Sequence, residues 1–290
     1  MFSLHKFVPI FVGALLSCKL FAQEVSYTSE HTHFLSHNVK LSGSIYSPPQ
    51  PQAALVIVHG SGQEKRMVNF AKTLASEGFC VLTYDKRGVG ESEGIYAGPE
   101  VGTNNVDAAN LQLLADDASA AINHLSAYLG QQHLKLGLIG GSQAGWIIPI
   151  AVKENSKVNF MVIFSGALVT ALEQLRFQFF TEGKPNFWAN HTEAEVRMHI
   201  ANDPDRYAFV DTDPNAILQQ LSTPGLWIFG GKDVQAPVGL SIEQLEKHIA
   251  LKKPYTYYLF PELGHNTAFT SNREPLNKAV AWIRKVLEGI

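Results

Sequence analysis

The sequence is poor in most features that would mark a specialised chain. Two cysteines among 290 residues exclude a disulfide-dense scaffold. Neither sign of charge dominates: 23 Lys and Arg stand against 26 Asp and Glu, a formal charge of -3. No run of lysines or arginines occurs, so the electrostatic footprint needed for a phosphate backbone is missing and nucleic acid is not an expected partner. No apolar run reaches the roughly 20 residues of a membrane-spanning helix. Internal repeats and low-complexity tracts are also absent. What is present is 46% hydrophobic residues, enough to exclude a disordered or collagen-like chain. The length suits one α/β domain, since such folds run to roughly 250 residues around a single sheet.

The first residues point to export. Lys6 precedes an apolar run from Phe7 to Leu16 that is too short to span a bilayer but fits a secretory signal, with cleavage expected after Ala22. A buried first helix is the alternative, weakened by Pro9 and Gly13. Leu15-Leu16-Ser17-Cys18 resembles a lipobox, which leaves lipid anchoring at Cys18 as a minor alternative. Loss of residues 1–22 removes Lys6 and Lys19 and no acid, leaving 21 basic against 26 acidic residues, a charge of -5. Residues 23–290 are then expected in the periplasm or medium, with Cys80 alone, a small buried hydrophobe and no partner for an intramolecular disulfide.

Short apolar and β-branched runs recur at Ala54–Val58, Cys80–Tyr84, Leu136–Ile139, Phe160–Phe164, Leu226–Phe229 and Thr256–Phe260. Such near-continuous runs predict buried parallel strands. Helical patterns at Val68–Ser76, Leu111–Tyr128, Gly145–Lys153 and Ile242–Ala250 separate them, the alternation of a doubly wound sheet. Val25–Tyr27 and Val39–Tyr46 are expected to lead as an antiparallel pair, and His31, His33 and His37 between them to form a solvated segment rather than a metal site. The alternation breaks between Gly166 and Thr223, predicted to be a cap insertion over the sheet with a helix from Ala171 to Phe180.

The chemistry concentrates at three strand ends. Leu138-Ile139-Gly140-Gly141-Ser142-Gln143-Ala144-Gly145 runs from an apolar strand into a helix through small residues, which predicts a nucleophile elbow that lifts the Ser142 hydroxyl above the sheet. The strict G-x-S-x-G pattern ends on Ala144 instead of glycine. Gly145 is expected to leave room for the ring of Pro149 four residues later. A serine nucleophile requires a base and a group that orients it. Asp233 follows the strand at Leu226–Phe229, and His265 follows the one at Tyr257–Phe260, so both fall at the carboxyl edge of the sheet. Asp203, Asp205, Asp211 and Asp213 are alternative acids but fall in the cap and not at a strand end, and Glu262 is a weaker alternative only three residues before His265. For the oxyanion, the backbone N–H groups of Ser61, in the turn His59-Gly60-Ser61-Gly62, and of Gln143 are the expected donors. His59 is expected to fix that turn, and Asp85 and Arg87 to pair or brace neighbouring loops.

The order Ser142, Asp233, His265, together with Tyr84-Asp85-Lys86-Arg87-Gly88-Val89-Gly90-Glu91-Ser92, resembles the α/β-hydrolase superfamily, and within it bacterial esterases and peptidase-like hydrolases. The family often has His before the serine and Glu or another polar residue after it; here Gly141 and Gln143 stand there. The resemblance implies a mostly parallel central sheet flanked by helices, with no metal and no organic cofactor.

The expected activity is that of an exported serine hydrolase acting on a small acyl ester through an acyl-enzyme. A serine aminopeptidase or dipeptidyl peptidase acting on short peptides is the enzymatic alternative, and would need a carboxylate in the cap for the substrate ammonium. Glu173, Glu182, Glu193 and Glu195 are available for it. A non-catalytic binding module is the remaining alternative. Phe177, Phe180 and Phe187-Trp188 are expected either to line the approach to Ser142 or to hold the cap down.

Overall fold

The computed structural model of the chain describes residues 26–289. The expected signal segment, the expected cleavage after Ala22 and Cys18 lie outside them. Strand β1 (Thr28–Ser36) and strand β2 (Val39–Ser47) pair antiparallel along their whole length, from Thr28 opposite Ser47 to Ser36 opposite Val39. The two residues between them, His37 and Asn38, both have positive φ (47° and 62°), the conformation that a tight two-residue hairpin demands. The antiparallel pair is found, but its first strand is not the expected Val25–Tyr27: Val25 lies outside the described residues, and Ser26 and Tyr27 precede β1. The polar stretch holding His31 and His33 is itself the strand, because β1 is an edge whose outward side chains are hydrated while Phe34 points into the core.

The remaining elements alternate. They run β3 (Ala53–Val58), α1 (Val68–Ser76), β4 (Phe79–Tyr84), α2 (Ala108–Leu129), β5 (Leu136–Gly141), α3 (Ala144–Glu154) and β6 (Val158–Phe164). After β6 come α4 (Ala171–Thr181), α5 (Glu193–Asn202) and α6 (Pro214–Leu218), then β7 (Gly225–Gly230), α7 (Val238–Ala250), β8 (Tyr255–Phe260) and α8 (Glu274–Glu288). The eight strands form one sheet in the order β1-β2-β4-β3-β5-β6-β7-β8. All pairs from β4 onward are parallel. Every residue of β3, β4 and β7 is buried, which explains their unbroken apolar runs.

Two layers cover the sheet. Leu111, Leu114 and Leu125 of α2, Trp146 and Ile147 of α3 and Leu245 of α7 pack on one face. Phe70 and Leu74 of α1 and Leu276, Val280 and Ile283 of α8 pack on the other. Each such leucine or isoleucine contributes about 1.5–3 kcal/mol by leaving water. Cys80 belongs to the first of these layers, fully buried, and burial pushes its thiol up to about 11.

Between β6 and β7 the chain builds a small cluster of its own from Phe177, Phe187, Val196 and Ile200. Thr170 and Glu173 form a capping box at the start of α4, and Thr192 and Glu195 another at α5. Phe177 is fully buried in this cluster, and Phe180 stacks on His199 with ring centroids 3.7 Å apart. Of the two readings of these phenylalanines, packing is the one observed.

Candidate active site

Ser142 sits between the last residue of β5 and the first turn of α3, and its φ is +56°. A non-glycine residue occupies that region at a cost, and strain of this kind concentrates at functional positions. The turn is held by two bonds: Ser142 N donates to Phe164 O (2.9 Å) and Gly145 N donates to Ser142 O (2.8 Å). A Cβ on Gly145 would stand 2.9 Å from the Cα of Gly166. Helix α3 therefore approaches the chain leaving β6 as closely as it does only because Gly145 has no side chain. The contact partner is thus Gly166, beside any relief given to the Pro149 ring.

Asp233 and His265 meet across the ends of β7 and β8. His265 Nδ1 lies 2.8 Å from Asp233 Oδ2, and Asp233 is fully buried. The other carboxylate oxygen, Oδ1, accepts the N–H groups of Gln235 (2.7 Å) and Ala236 (2.9 Å). A carboxylate at Nδ1 keeps the ring proton there and leaves Nε2 free to accept. His265 Nε2 is buried with no hydrogen-bond partner among the described residues, and His265 lines the same pocket as Ser142. No hydrogen bond joins Ser142 Oγ to it here; in substrate-free hydrolases such contacts are often long and close in the complex. The segment between β6 and β7 supports the acid loop from above: Trp188 Nε1 donates to Asp233 O (2.7 Å), Thr181 Oγ1 to Val234 O (2.6 Å) and Gln178 Nε2 to Gln235 O (3.1 Å).

The turn after β3 and the start of α3 are clasped together by side chains. Buried Lys86 donates through Nζ to Gly60 O (2.7 Å), Gly62 O (3.3 Å) and Gln143 Oε1 (3.2 Å). Gln143 Nε2 donates to Asn105 O (2.8 Å), while Asn105 Nδ2 and Tyr96 Oη both donate to Ser61 O (2.9 Å each). Every carbonyl of Gly60-Ser61-Gly62 is thereby fixed, and among the described residues the N–H groups of Ser61 and Gln143 donate to nothing in the chain. Burial brings the Lys86 ammonium down to about 8, against the nearby Glu64 and Glu100 charges that pull it up. Sequence reasoning passed over Lys86, Tyr96, Asn105 and Glu64. For Lys86 a signal existed, because a lysine two residues beyond the wholly buried β4 must find acceptors; the other three lie in loops without pattern.

The remaining candidates have structural tasks. Asp85 and Arg87 do not pair with each other. Asp85 binds Arg66 at 2.8 Å, and although burial alone would raise its carboxyl, the Arg66 hydrogen bonds bring it down to about 2. Arg87 pairs with Asp117 of α2, both buried. His59 Nε2 donates to Tyr84 O (2.6 Å), and burial, aided by the Lys86 charge, drives the imidazole down to about 3, so it stays neutral and fixes the turn. Glu262 is exposed and paired with Lys232. Asp203 and Asp205 pair with His199 and Arg176, while Asp211 and Asp213 cap backbone N–H groups. Glu173 and Glu195 are held in their capping boxes, and Glu182 and Glu193 pair with Lys184 and Arg197. None of these acids lines the pocket that contains Ser142.

That pocket is a small cleft that opens to solvent. Its wall is apolar at Ile57, Met67, Phe70, Phe164 and Phe269, and polar at Glu64, Ser142, His265 and Asn266. It lies on the α1 side of the site, away from Phe177 and Phe180. Among the described residues no group of three or more His, Cys, Asp or Glu side chains is placed to hold a metal ion, and no helix is long and apolar enough to cross a membrane.

Comparisons with known proteins agree with this architecture. The chain is similar over 96% of its length to an esterase of Pyrococcus furiosus, covering 96% of that chain, with 17% identity and a TM-score of 0.66. It is also similar over 90% of its length to the acylaminoacyl peptidase of Pyrococcus horikoshii, with 17% identity and a TM-score of 0.63, but spans 41% of that longer chain. At such identities the likeness is one of fold. No curated protein matches the sequence. A family model described as serine aminopeptidase, S33, matches residues 49–223, which include the turn after β3, Lys86 and the Ser142 elbow and end before Asp233. With the strained serine, the sheet order and that match together, the chain belongs to the serine aminopeptidase S33 family and is a serine-type hydrolase of the α/β-hydrolase superfamily.

Proposed function

We propose that Ser142, His265 and Asp233 form a catalytic triad that cleaves small carboxylic esters through an acyl-enzyme. The observation that carries this reading is the 2.8 Å contact of His265 Nδ1 with buried Asp233, which leaves Nε2 unpartnered in the pocket of a strained serine. In this mechanism Nε2 takes the Ser142 proton as Oγ attacks the acyl carbon, and Asp233 stabilises the imidazolium that forms. The N–H groups of Ser61 and Gln143 receive the oxyanion, held in place beforehand by the Lys86 and Asn105 clasp. His265 then returns the proton to the leaving group, and water repeats the sequence to free the acid. The residues from Gly166 to Thr223 serve as a cap, and the chain is exported after cleavage behind Ala22.

A second reading, cleavage of amides in short peptides, is favoured by the family's own description. The same triad serves it. Fluorophosphonate labelling of the purified protein tests the shared chemistry: Ser142 is the expected adduct, and a chain that fails to label is a binding module. A panel of acyl esters of graded length beside aminoacyl anilides separates the two substrate classes. Intact mass of the exported protein tests the Gln23 terminus, and added lipid mass at Cys18 would replace that reading with anchoring.

A further inference from the structure

The cleft beside Ser142 does not end at its apolar wall. Phe70, Ala268 and Phe269 line it on one side and on the other line a second groove, between α1 and the start of α8. Two aromatic rings divide the spaces. Phe70 is buried and packs edge to face on Phe164 in the cleft, with centroids 6.3 Å apart. Phe269 meets Phe70 edge to face at 5.2 Å but is 55% exposed, and exposed side chains change rotamer within nanoseconds. Its ring can turn aside without moving His265, because Thr267 between them is buried, with its hydroxyl 2.8 Å from that of Ser165 just after β6. Met67 lines the cleft, Phe70 both spaces and Thr73 the groove, so the passage follows one i, i+3 ridge of α1. Six residues of helix rise about 9 Å. Leu276 in the groove's lining is buried and apolar, and the one charged residue there, Arg273, is paired with Glu77 at 3.1 Å. What suits such a path is a narrow, neutral chain.

We propose that the groove between α1 and α8 is a distal subsite for an unbranched alkyl chain of the substrate, reached from Ser142 past Phe269. The proposal rests on the serine hydrolase reading and adds its substrate class: esters whose acyl or alcohol part is a straight chain of about eight carbons, the reach from Met67 to Thr73 along α1. Each methylene drawn out of water favours binding by up to about fourfold. Asn69 and Asn272, both exposed, mark the outer end of the groove, so carbons beyond it return to water.

The test uses two pairs of esters that differ in chain length: ethyl octanoate against ethyl butyrate for the acyl side, and octyl acetate against butyl acetate for the alcohol side. Thr73→Trp fills the groove from α1, away from Ser142 and His265. The hydroxyl it removes is spent within the helix, donating to Asn69 O at 2.9 Å. The expected result is that the long-to-short ratio of kcat/KM falls about tenfold in one pair, and the affected pair tells which side of the ester lies in the groove. A ratio that holds within about twofold in both pairs, whatever happens to the rates themselves, would show that the groove is bare surface and overturn the proposal. Should Thr73→Trp not fold, Asn69→Trp blocks the same groove from an exposed position and is read in the same way. Calorimetric titration with octan-1-ol needs no turnover: binding weakened about tenfold by the tryptophan supports the proposal, and equal binding overturns it. A protein that binds octan-1-ol in this groove yet neither labels at Ser142 nor hydrolyses any ester would refute the triad and leave the alkyl subsite standing.

Discussion

Replacing Asp233 by Asn is the sharpest probe of the site, because the structure dictates which way the new amide must face. The two carboxylate oxygens have different partners: Oδ1 accepts two backbone N–H groups, from Gln235 and Ala236, and Oδ2 faces His265 Nδ1. An asparagine has one oxygen and one NH₂ to place. Turning the NH₂ toward the two N–H groups would leave both without their acceptor, at about 1–3 kcal/mol for the buried Ala236 donor and less for that of Gln235, which water can reach. Turning the oxygen toward them keeps both bonds and sets the NH₂ against His265 Nδ1. That nitrogen must then accept, so the ring proton moves to Nε2, where a base for Ser142 is needed. The expected outcome is a folded protein locked in the wrong tautomer, with kcat lowered about 10⁴-fold, as in other serine hydrolases. The assay is kcat on a short-chain ester beside the rate of fluorophosphonate labelling, with the melting temperature as the control for folding. Activity within tenfold of wild type in a folded Asp233→Asn protein would refute the assignment of Asp233 as the orienting acid.

Three further outcomes are expected. Lys86→Met should lower kcat about 10- to 100-fold with little change in KM, since it loosens both carriers of the oxyanion donors while leaving the substrate walls intact; an unchanged kcat would show that the clasp is incidental. Phe177→Ala should cost about 3–5 kcal/mol in urea unfolding, because a fully buried ring leaves a cavity, while the preference among acyl chain lengths stays the same; a changed preference would place Phe177 at the substrate. His59 is held neutral, with its pKa lowered from 6.5 to about 3, so below pH 6.5 the unfolded chain binds a proton that the folded one refuses. Its contribution to stability is present above pH 6.5 and falls away as pH drops toward 3, and His59→Gln should flatten the acid limb of unfolding free energy against pH across that window; an unaltered limb would contradict it.

How much of this was legible beforehand follows from the kind of force involved. The parallel strands and the helices between them were readable because burial on both faces leaves an apolar run with breakers at its ends, and Val68–Ser76 forms a helix with the predicted bounds. Strand β1 was not, because an edge strand is specified by a backbone ladder and a two-residue turn, and Thr28–His33 carry no hydrophobic signal. Helix α8 was missed although Leu276, Ala279, Val280 and Ile283 keep helical spacing on its buried face. At the site, Ser142, Asp233 and His265 stand out because each follows a recognisable strand. Glu64 and Asn105 do not, since what they do depends on distances between loops that no local pattern records. The acids after β6 that an ammonium-binding reading would need are spent on helix caps and surface pairs, because what a lone glutamate bonds to is set by the turn it begins and not by its type.

The three hydrogen bonds from Gln178, Thr181 and Trp188 to residues 233–235 carry a consequence for how the molecule can be varied. They tie the segment after β6 to the loop that orients His265, so this segment is not an interchangeable cassette. Grafting the corresponding stretch of another hydrolase would remove the supports of the Asp233 loop along with the old surface, and a swap intended to alter selectivity would first register as a loss of turnover. The same tie sets the direction of traffic. A swing of α4 away from the sheet would pull on the Asp233 loop, whereas Met67 and Phe70, which line the Ser142 pocket from the start of α1, make no side-chain hydrogen bond to it. Engineering of substrate scope should therefore begin at Met67 and Phe70, away from the segments that carry Asp233 and His265.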